Sequence, residues 1–232
     1  MSIKKESAIQ AITQDMKTFS TLTLEQLNHF MEIIEAGKAK INKETLRVME
    51  EIEDKLDKYE VKISDQVINT ITLYNPVASD LRKVMSAYRL SDYLERIGDL
   101  TFSSINHIQQ IKSQEMFGKF TKLLEKMLNT SIEMVKRAII SYNYADKEYA
   151  VWVIENDERV DKLHQKLVER LVKKGDAEKD IKQLMITFLS IRNIVSNIER
   201  IADQATNIAE AAIYSFEGID VRHKKELPDD FL

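Results

Sequence analysis

Tyr93-Leu94-Glu95-Arg96-Ile97-Gly98-Asp99 returns 104 residues later as Asn197-Ile198-Glu199-Arg200-Ile201-Ala202-Asp203, and five of the seven positions agree in character. Each heptapeptide carries an acid-x-x-x-Asp pair, Glu95/Asp99 and Glu199/Asp203. The same spacing stands 42 residues upstream of each, at Glu53/Asp57 and Asp157/Asp161. Four acidic pairs thus obey a single 104-residue shift, the mark of a tandem duplication of a three-helix unit rather than of a short-period solenoid. Two like charges one helical turn apart repel each other by about 0.2–0.5 kcal/mol. A duplicated chain that carries the arrangement four times is expected to set something cationic against it.

Composition supports long helices. The 232 residues include only 5 Gly and 2 Pro, so turns are scarce and elements must be few and extended. Asn75-Pro76 reads as an N-cap followed by proline in the first helical turn, and Gly175-Asp176 as a stop followed by a new cap. Gly37, Asn42, Gly118 and Asp146 mark further breaks. The spacing predicts an all-α chain of two tandem, similar three-helix bundles. Its six long helices lie at about 4–35, 40–73, 76–112, 115–142, 146–173 and 178–215. The first repeat is expected over 1–113, the second over 114–216, and a polar, frayed C-terminal tail over 217–232.

Other classes fall away. There is no Cys, which excludes disulfides, thiolate zinc sites and iron–sulfur clusters. A net charge of −4 gives no reason to expect nucleic acid. No apolar run reaches the roughly 18–20 residues of a membrane span, and the first residues lack a signal-peptide pattern, so a cytoplasmic protein is expected. No nucleophile–base pair, Gly-rich phosphate loop or nucleotide motif is present, and nothing reads as catalysis.

The acids are expected to meet. In an up-down-up unit the second and third helices are antiparallel neighbours, so residues equidistant from their connecting turn lie side by side. The first-half pair centres, 55 and 97, have their midpoint at Pro76, in the turn itself. The second-half centres, 159 and 201, have theirs at 180, a few residues past the expected turn at Gly175 to Lys179. On the last helix Ile194, Ile198, Ile201, Ala205, Ile208 and Ala212 form the apolar stripe. Glu199, Asp203, Asn207 and Glu210 form a separate one, with Glu199 about 200° from Ile201. The carboxylates are therefore expected away from the core seam, in a shallow exposed groove.

Carboxylates without thiolates and with little imidazole suit hard cations such as Fe³⁺, Mn²⁺, Mg²⁺ or Ca²⁺, several of which can share bridging oxygens. The plainer reading makes the acids solvated charges paired with Arg96, Arg200 and nearby lysines. A di-iron oxidase needs Glu-x-x-His on two helices, and only Asp161-x-x-His164 comes near. His164 reads first as a surface histidine and second as a further ligand. Arg82, Arg89 and Arg192 are weaker candidates for anion binding, Gly98 reads as a close helix contact or a tolerated defect, and Trp152 as core.

Asn75-Pro76-Val77-Ala78-Ser79-Asp80-Leu81-Arg82 resembles a turn-and-helix signature of the PhoU family. Leu94 to Asp99 resembles it too, and Ile198-Glu199-Arg200-Ile201-Ala202-Asp203-Gln204-Ala205-Thr206-Asn207-Ile208-Ala209-Glu210 does so most closely. The resemblance covers nearly the whole chain. It implies two similar three-helix bundles bearing multinuclear metal clusters, of iron or zinc, on the acid-x-x-x-Asp motifs. The implied metal residues are Glu53, Asp57, Glu95, Asp99, Asp157, Asp161, Glu199 and Asp203, with Asn207 and Glu210 completing the second-half pattern. It also implies a homodimeric cytoplasmic adaptor and negative regulator of the phosphate-starvation response, joining the ATPase subunit of a phosphate ABC transporter to a sensor histidine kinase. Accessory proteins of another phosphate or metal-ion transporter, and metal storage or handling proteins, are the alternatives. The first half departs from the family pattern: Ser103 and Asn106 stand where Asn207 and Glu210 stand in the second, which predicts a poorer first site. Gln204 occupies a position where the family often has His.

Overall fold

The computed structural model describes residues 2–173 and 181–222, and within them seven helices. The first group is α1 (Ser2–Glu35), α2 (Lys43–Tyr74) and α3 (Ala78–Gln110). The second comprises a single turn, α4 (Gln114–Gly118), then α5 (Thr121–Tyr144), α6 (Lys147–Lys173) and α7 (Ile181–Glu217). The six long helices fall where periodicity puts them. The expected helix over 115–142 is split, because Gly118 ends a capped turn in which Ser113 Oγ accepts from Met116 N. The Gly175-Asp176 stop and the polar tail from His223 onward lie outside the described residues.

Capping explains the boundaries. Gly37 takes a left-handed φ of 61° and its N–H reaches the Ile34 carbonyl, closing α1. Asn42 Oδ1 accepts from Thr45 N at 2.7 Å and opens α2. Asp146 Oδ1 does the same for Tyr149 N at 3.0 Å and opens α6. Asn75 corrects the sequence reading. It is the C-cap of α2 in the left-handed region (φ 44°), a conformation its short amide tolerates, and α3 begins only at Ala78.

α1, α2 and α3 pack on one another, and α5, α6 and α7 do likewise; α3 against α7, with α1 against α5, joins the two groups. α2 buries one stripe, Met49, Ile52, Leu56, Ile63 and Val67, at three-, four- and seven-residue steps. α7 buries far more of its circumference, including Ile191, Ile194, Val195, Ile198, Ile201, Ala202, Ala205 and Ile208, because neighbours cover it on two sides. Each of the large buried side chains contributes about 1.5–3 kcal/mol of transfer free energy.

α3 and α7 run antiparallel. Arg82 lies against Gly218, Arg89 over the Tyr214 ring, Ser104 beside Asn197, and Lys112 N beside Thr187 Oγ1. As the number rises on one helix it falls on the other, so residues 98 and 202, equivalent in the duplication, come level with each other. The two halves are therefore related by a pseudo-twofold axis through this crossing. Past α7 the chain turns back, with Val221 buried and Arg222 paired to Asp220 at 2.6 Å.

Candidate metal centres

In the first half, α2 brings Glu53 and α3 brings Glu95 and Asp99 to one level. Glu53 and Glu95 each come within hydrogen-bonding reach of Asp99, and Asp57 lies close enough to act on Glu53 electrostatically. From α1, Gln26 Nε2 donates a short hydrogen bond to Glu53 Oε2, leaving Gln26 Oε1 buried without a partner. Gly98 makes the approach possible: a Cβ there would stand 2.7 Å from Leu56 Cδ1 and 3.4 Å from Glu53 Oε2. Gly98 is thus a close helix contact, the first of its two sequence readings.

In the second half, Asp157 and Asp161 from α6 face Glu199 and Asp203 from α7, each acid acting on its neighbours. Thr206 Oγ1 donates to Asp157 Oδ1 at 3.1 Å, and His164 Nδ1 sits 3.0 Å from Glu199 Oε1. Asn207 turns its amide to Gln204 Oε1 at 3.4 Å. Glu210 lies within electrostatic reach of Tyr93 and Arg222, at the seam with α3.

The groove is less open than the sequence suggests. Asp57 and Asp99 are exposed, whereas Glu53, Glu95, Asp157, Asp161, Glu199 and Asp203 are partly buried by the closely packed antiparallel helices. Burial pushes the Glu53 carboxyl up to about 8, with Asp99 and Asp57 pushing the same way and the Gln26 amide opposing them. Burial and then Asp99 push Glu95 up to about 7. Burial and the negative charges of Asp157, Glu199 and Asp161 push Asp203 up to about 6, while burial also raises Asp157 and Glu199.

Among the described residues none of these eight acids forms an ion pair with a lysine or arginine; Glu199 alone has a basic partner, His164. Arg96 and Arg200, the expected counter-charges, carry no ion pair or hydrogen bond among the described residues, and Arg200 is the last of the groups that act on Asp203. Burial and mutual repulsion therefore raise Glu53, Glu95, Asp157, Glu199 and Asp203, and among the described residues no lysine or arginine is ion-paired to offset it. As they stand, no three acidic or imidazole groups among the described residues close on a common point. The donor chemistry fits a cation all the same: oxygen alone in the first half, oxygen with one imidazole in the second.

Several members of these clusters escape periodicity. Glu60 and Asp92 act on Glu95, Gln26 binds Glu53, Thr206 binds Asp157, and His164 stands at the cluster rather than as a mere surface group. The repeat itself holds one signal, since Glu60 and His164 are 104 residues apart and occupy equivalent positions. Glu60 and Asp92 add negative charge to the half in which Ser103 and Asn106 remove it.

Residues 16–104 and 124–212 each match the PhoU domain, and the chain belongs to the PhoU family. It is 32% identical over 197 residues to the phosphate-specific transport system accessory protein PhoU homolog of Aquifex aeolicus, covering 83% of this chain and 87% of that protein. It is 24% identical over 218 residues to PhoU homolog 1 of Thermotoga maritima, covering 94% and 90%. The fold is that of the phosphate transport system regulatory protein PhoU from Streptococcus pneumoniae, with a TM-score of 0.81 at 20% identity over 94% of this chain and 99% of that one. PhoU from Pseudomonas aeruginosa superposes with a TM-score of 0.75 at 22% identity, over 92% and 99%.

Proposed function

We propose that this PhoU-family chain is a regulatory adaptor of phosphate uptake whose two carboxylate clusters bind metal. The family's named members are accessory proteins of phosphate-specific transport and not enzymes, and this chain resembles them over almost its whole length. On this reading it is a cytoplasmic negative regulator of the phosphate-starvation response. It docks on the ATPase subunit of a phosphate ABC transporter and on a sensor histidine kinase, as a homodimer of two-repeat chains divided at about residue 113. Among the described residues no helix is long and apolar enough to cross a membrane, which accords with a docking rather than a spanning role.

The observation that carries the metal reading is the pairing pattern. Eight acids gather in two equivalent places, six of them partly buried, and among the described residues none is ion-paired to a lysine or arginine; burial raises Glu53, Glu95, Asp157, Glu199 and Asp203. Glu53, Asp57, Glu95 and Asp99 would hold cations in the first half. Asp157, Asp161, Glu199, Asp203 and His164 would do so in the second, with Asn207 and Glu210 as outer groups. A bound cation would supply positive charge among these carboxylates and so tie α2 to α3 and α6 to α7. The imidazole beside Glu199 favours iron or zinc there over calcium or magnesium.

Two measurements test the reading. Elemental analysis of the purified protein should show iron or zinc that falls by about half in the Glu199→Gln/Asp203→Asn variant; unchanged content would remove the site. A phosphatase reporter of the starvation response should switch on in a deletion strain grown at high phosphate. A silent reporter there would favour a storage or handling role.

A further inference from the structure

The same seam holds a polar pocket to one side of the pseudo-twofold axis, bordering the first carboxylate cluster through Asp99. It is lined by Arg96, Asp99, Ser103 and Asn106 from α3 and by Asn197 and Arg200 from α7. Arg96 and Arg200 are equivalent positions of the duplication, and the antiparallel crossing at residues 98 and 202 brings both to one pocket. Neither guanidinium has an ion pair or hydrogen bond among the described residues, and both are exposed. Two unpaired guanidinium groups at one place repel unless something negative lies between them.

The departure of the first repeat from the second acquires a meaning here. Under the pseudo-twofold relation, Asn106 takes the place of Glu210 and Ser103 that of Asn207. At the other end of the seam Glu210 is present, and Arg222 of the returning chain comes within its electrostatic reach. At this end the acid is replaced by an amide, and Asp99 is the only carboxylate lining the pocket. Among the lining side chains two guanidinium groups stand against one carboxylate, with Asp203 in electrostatic reach of Arg200, and the pocket also offers a hydroxyl and two carboxamides. Guanidinium forks match the paired oxygens of phosphate, and neutral donors complete tetrahedral recognition.

The geometry points to a binding site for a phosphate-type oxyanion between Arg96 and Arg200, at the junction of the two repeats. The inference does not depend on the cation clusters, and metal-free protein tests it. Inorganic phosphate, sulfate and O-phosphoserine are titrated calorimetrically into the chelator-treated full chain at low ionic strength. Inorganic phosphate is expected to saturate one site per chain. Affinity should fall at least tenfold in Arg96→Gln and in Arg200→Gln, and by a similar factor in Asn106→Glu, which restores the acid of the second repeat. Arg96→Lys, which keeps the charge and loses the fork, should lie between wild type and Arg96→Gln. Arg89→Gln, outside the pocket, should bind as wild type. O-phosphoserine binding at least tenfold tighter than inorganic phosphate would assign the site to a phosphomonoester; equal or weaker binding would assign it to the free anion. No saturable binding of either, or undiminished binding in the Arg96→Gln/Arg200→Gln variant, would overturn the inference.

Discussion

The two acidic clusters descend from one arrangement and solve the same electrostatic problem differently. In the first, burial and Asp99 raise Glu53 and Glu95, and Asp92 and Glu60 add to the repulsion on Glu95. In the second, the position equivalent to Glu60 is His164, which pairs with Glu199, and Thr206 steadies Asp157. Burial first, then neighbouring carboxylates, push Glu53 and Glu95 of the first cluster to about 8 and 7 and Asp203 of the second to about 6. Burial is the largest cause in both clusters; the exchange of an acid for an imidazole bears on Glu95 in the first and on Glu199 in the second. The sequence places the poorer cation site in the first half because Ser103 and Asn106 replace Asn207 and Glu210. In the fold, Glu210 lies near Tyr93 and Arg222, while Glu60 and Asp92 strengthen the first cluster.

The strongest way to break this contrast is to load each cluster separately. A cation at a hundred times its dissociation constant stabilises the folded chain by about 2.7 kcal/mol, or about 5–10 °C in melting temperature for a protein of this size. Ferrous or zinc ion should raise the melting temperature of the chelator-treated wild type by about twice that, one such contribution from each cluster. Glu95→Gln/Asp99→Asn and Glu199→Gln/Asp203→Asn should each keep about half of the rise. If the first variant kept all of it, only the second cluster would bind.

Next in size is the packing beneath the clusters. Gly98→Ala forces a methyl against the buried Leu56. Overpacking costs about 1–3 kcal/mol and is offset by about 1 kcal/mol of helix propensity, so a net loss of about 1 kcal/mol is expected in denaturant titration. Ala202→Gly, at the equivalent buried position, should lose a similar amount by the opposite route. Only Gly98→Ala should also weaken cation uptake by its own half, because the added Cβ crowds Glu53.

The pH dependence sharpens the comparison further. A carboxyl whose pKa is raised by folding binds its proton more tightly in the folded chain. Its favourable contribution is complete below the unfolded value and is lost as pH climbs through the folded one. Metal-free protein should therefore lose stability between about pH 4.5 and 8, the span set by Glu53. Melting curves of Glu53→Gln should show a shallower decline up to pH 8, whereas those of Asp203→Asn should differ from wild type in slope only below about pH 6. Identical slopes above pH 6 in wild type and Glu53→Gln would deny Glu53 its raised pKa. The smallest effect belongs to His164→Ala, which removes one partly exposed pair and should cost below about 1 kcal/mol in a thermal melt.

Much of this was legible from residue order. The 104-residue shift, the scarcity of Gly and Pro, and the caps at Gly37, Asn42 and Asp146 suffice to lay out the long helices. Equal distance from the Pro76 turn suffices to bring Glu53 towards Asp99. What stays hidden depends on side chains crossing between helices that periodicity treats singly. Gln26 reaches Glu53 from a third helix, and Gly98 matters because Leu56 stands opposite it. Asn75 misleads because the same short amide serves to open a helix or to close one in the left-handed region, and only the backbone decides. The burial of the acids was misjudged because angular position on one helix says nothing about how closely the next helix lies.

The antiparallel pairing of α3 with α7 has a consequence for how the molecule comes apart. Each of these helices is an inner wall of its own repeat and a wall of the seam, so cutting the chain between repeats would strip an oily flank from both pieces. The ancestral copies can be told apart in the alphabet of the sequence, yet heat should melt them together, in one cooperative step.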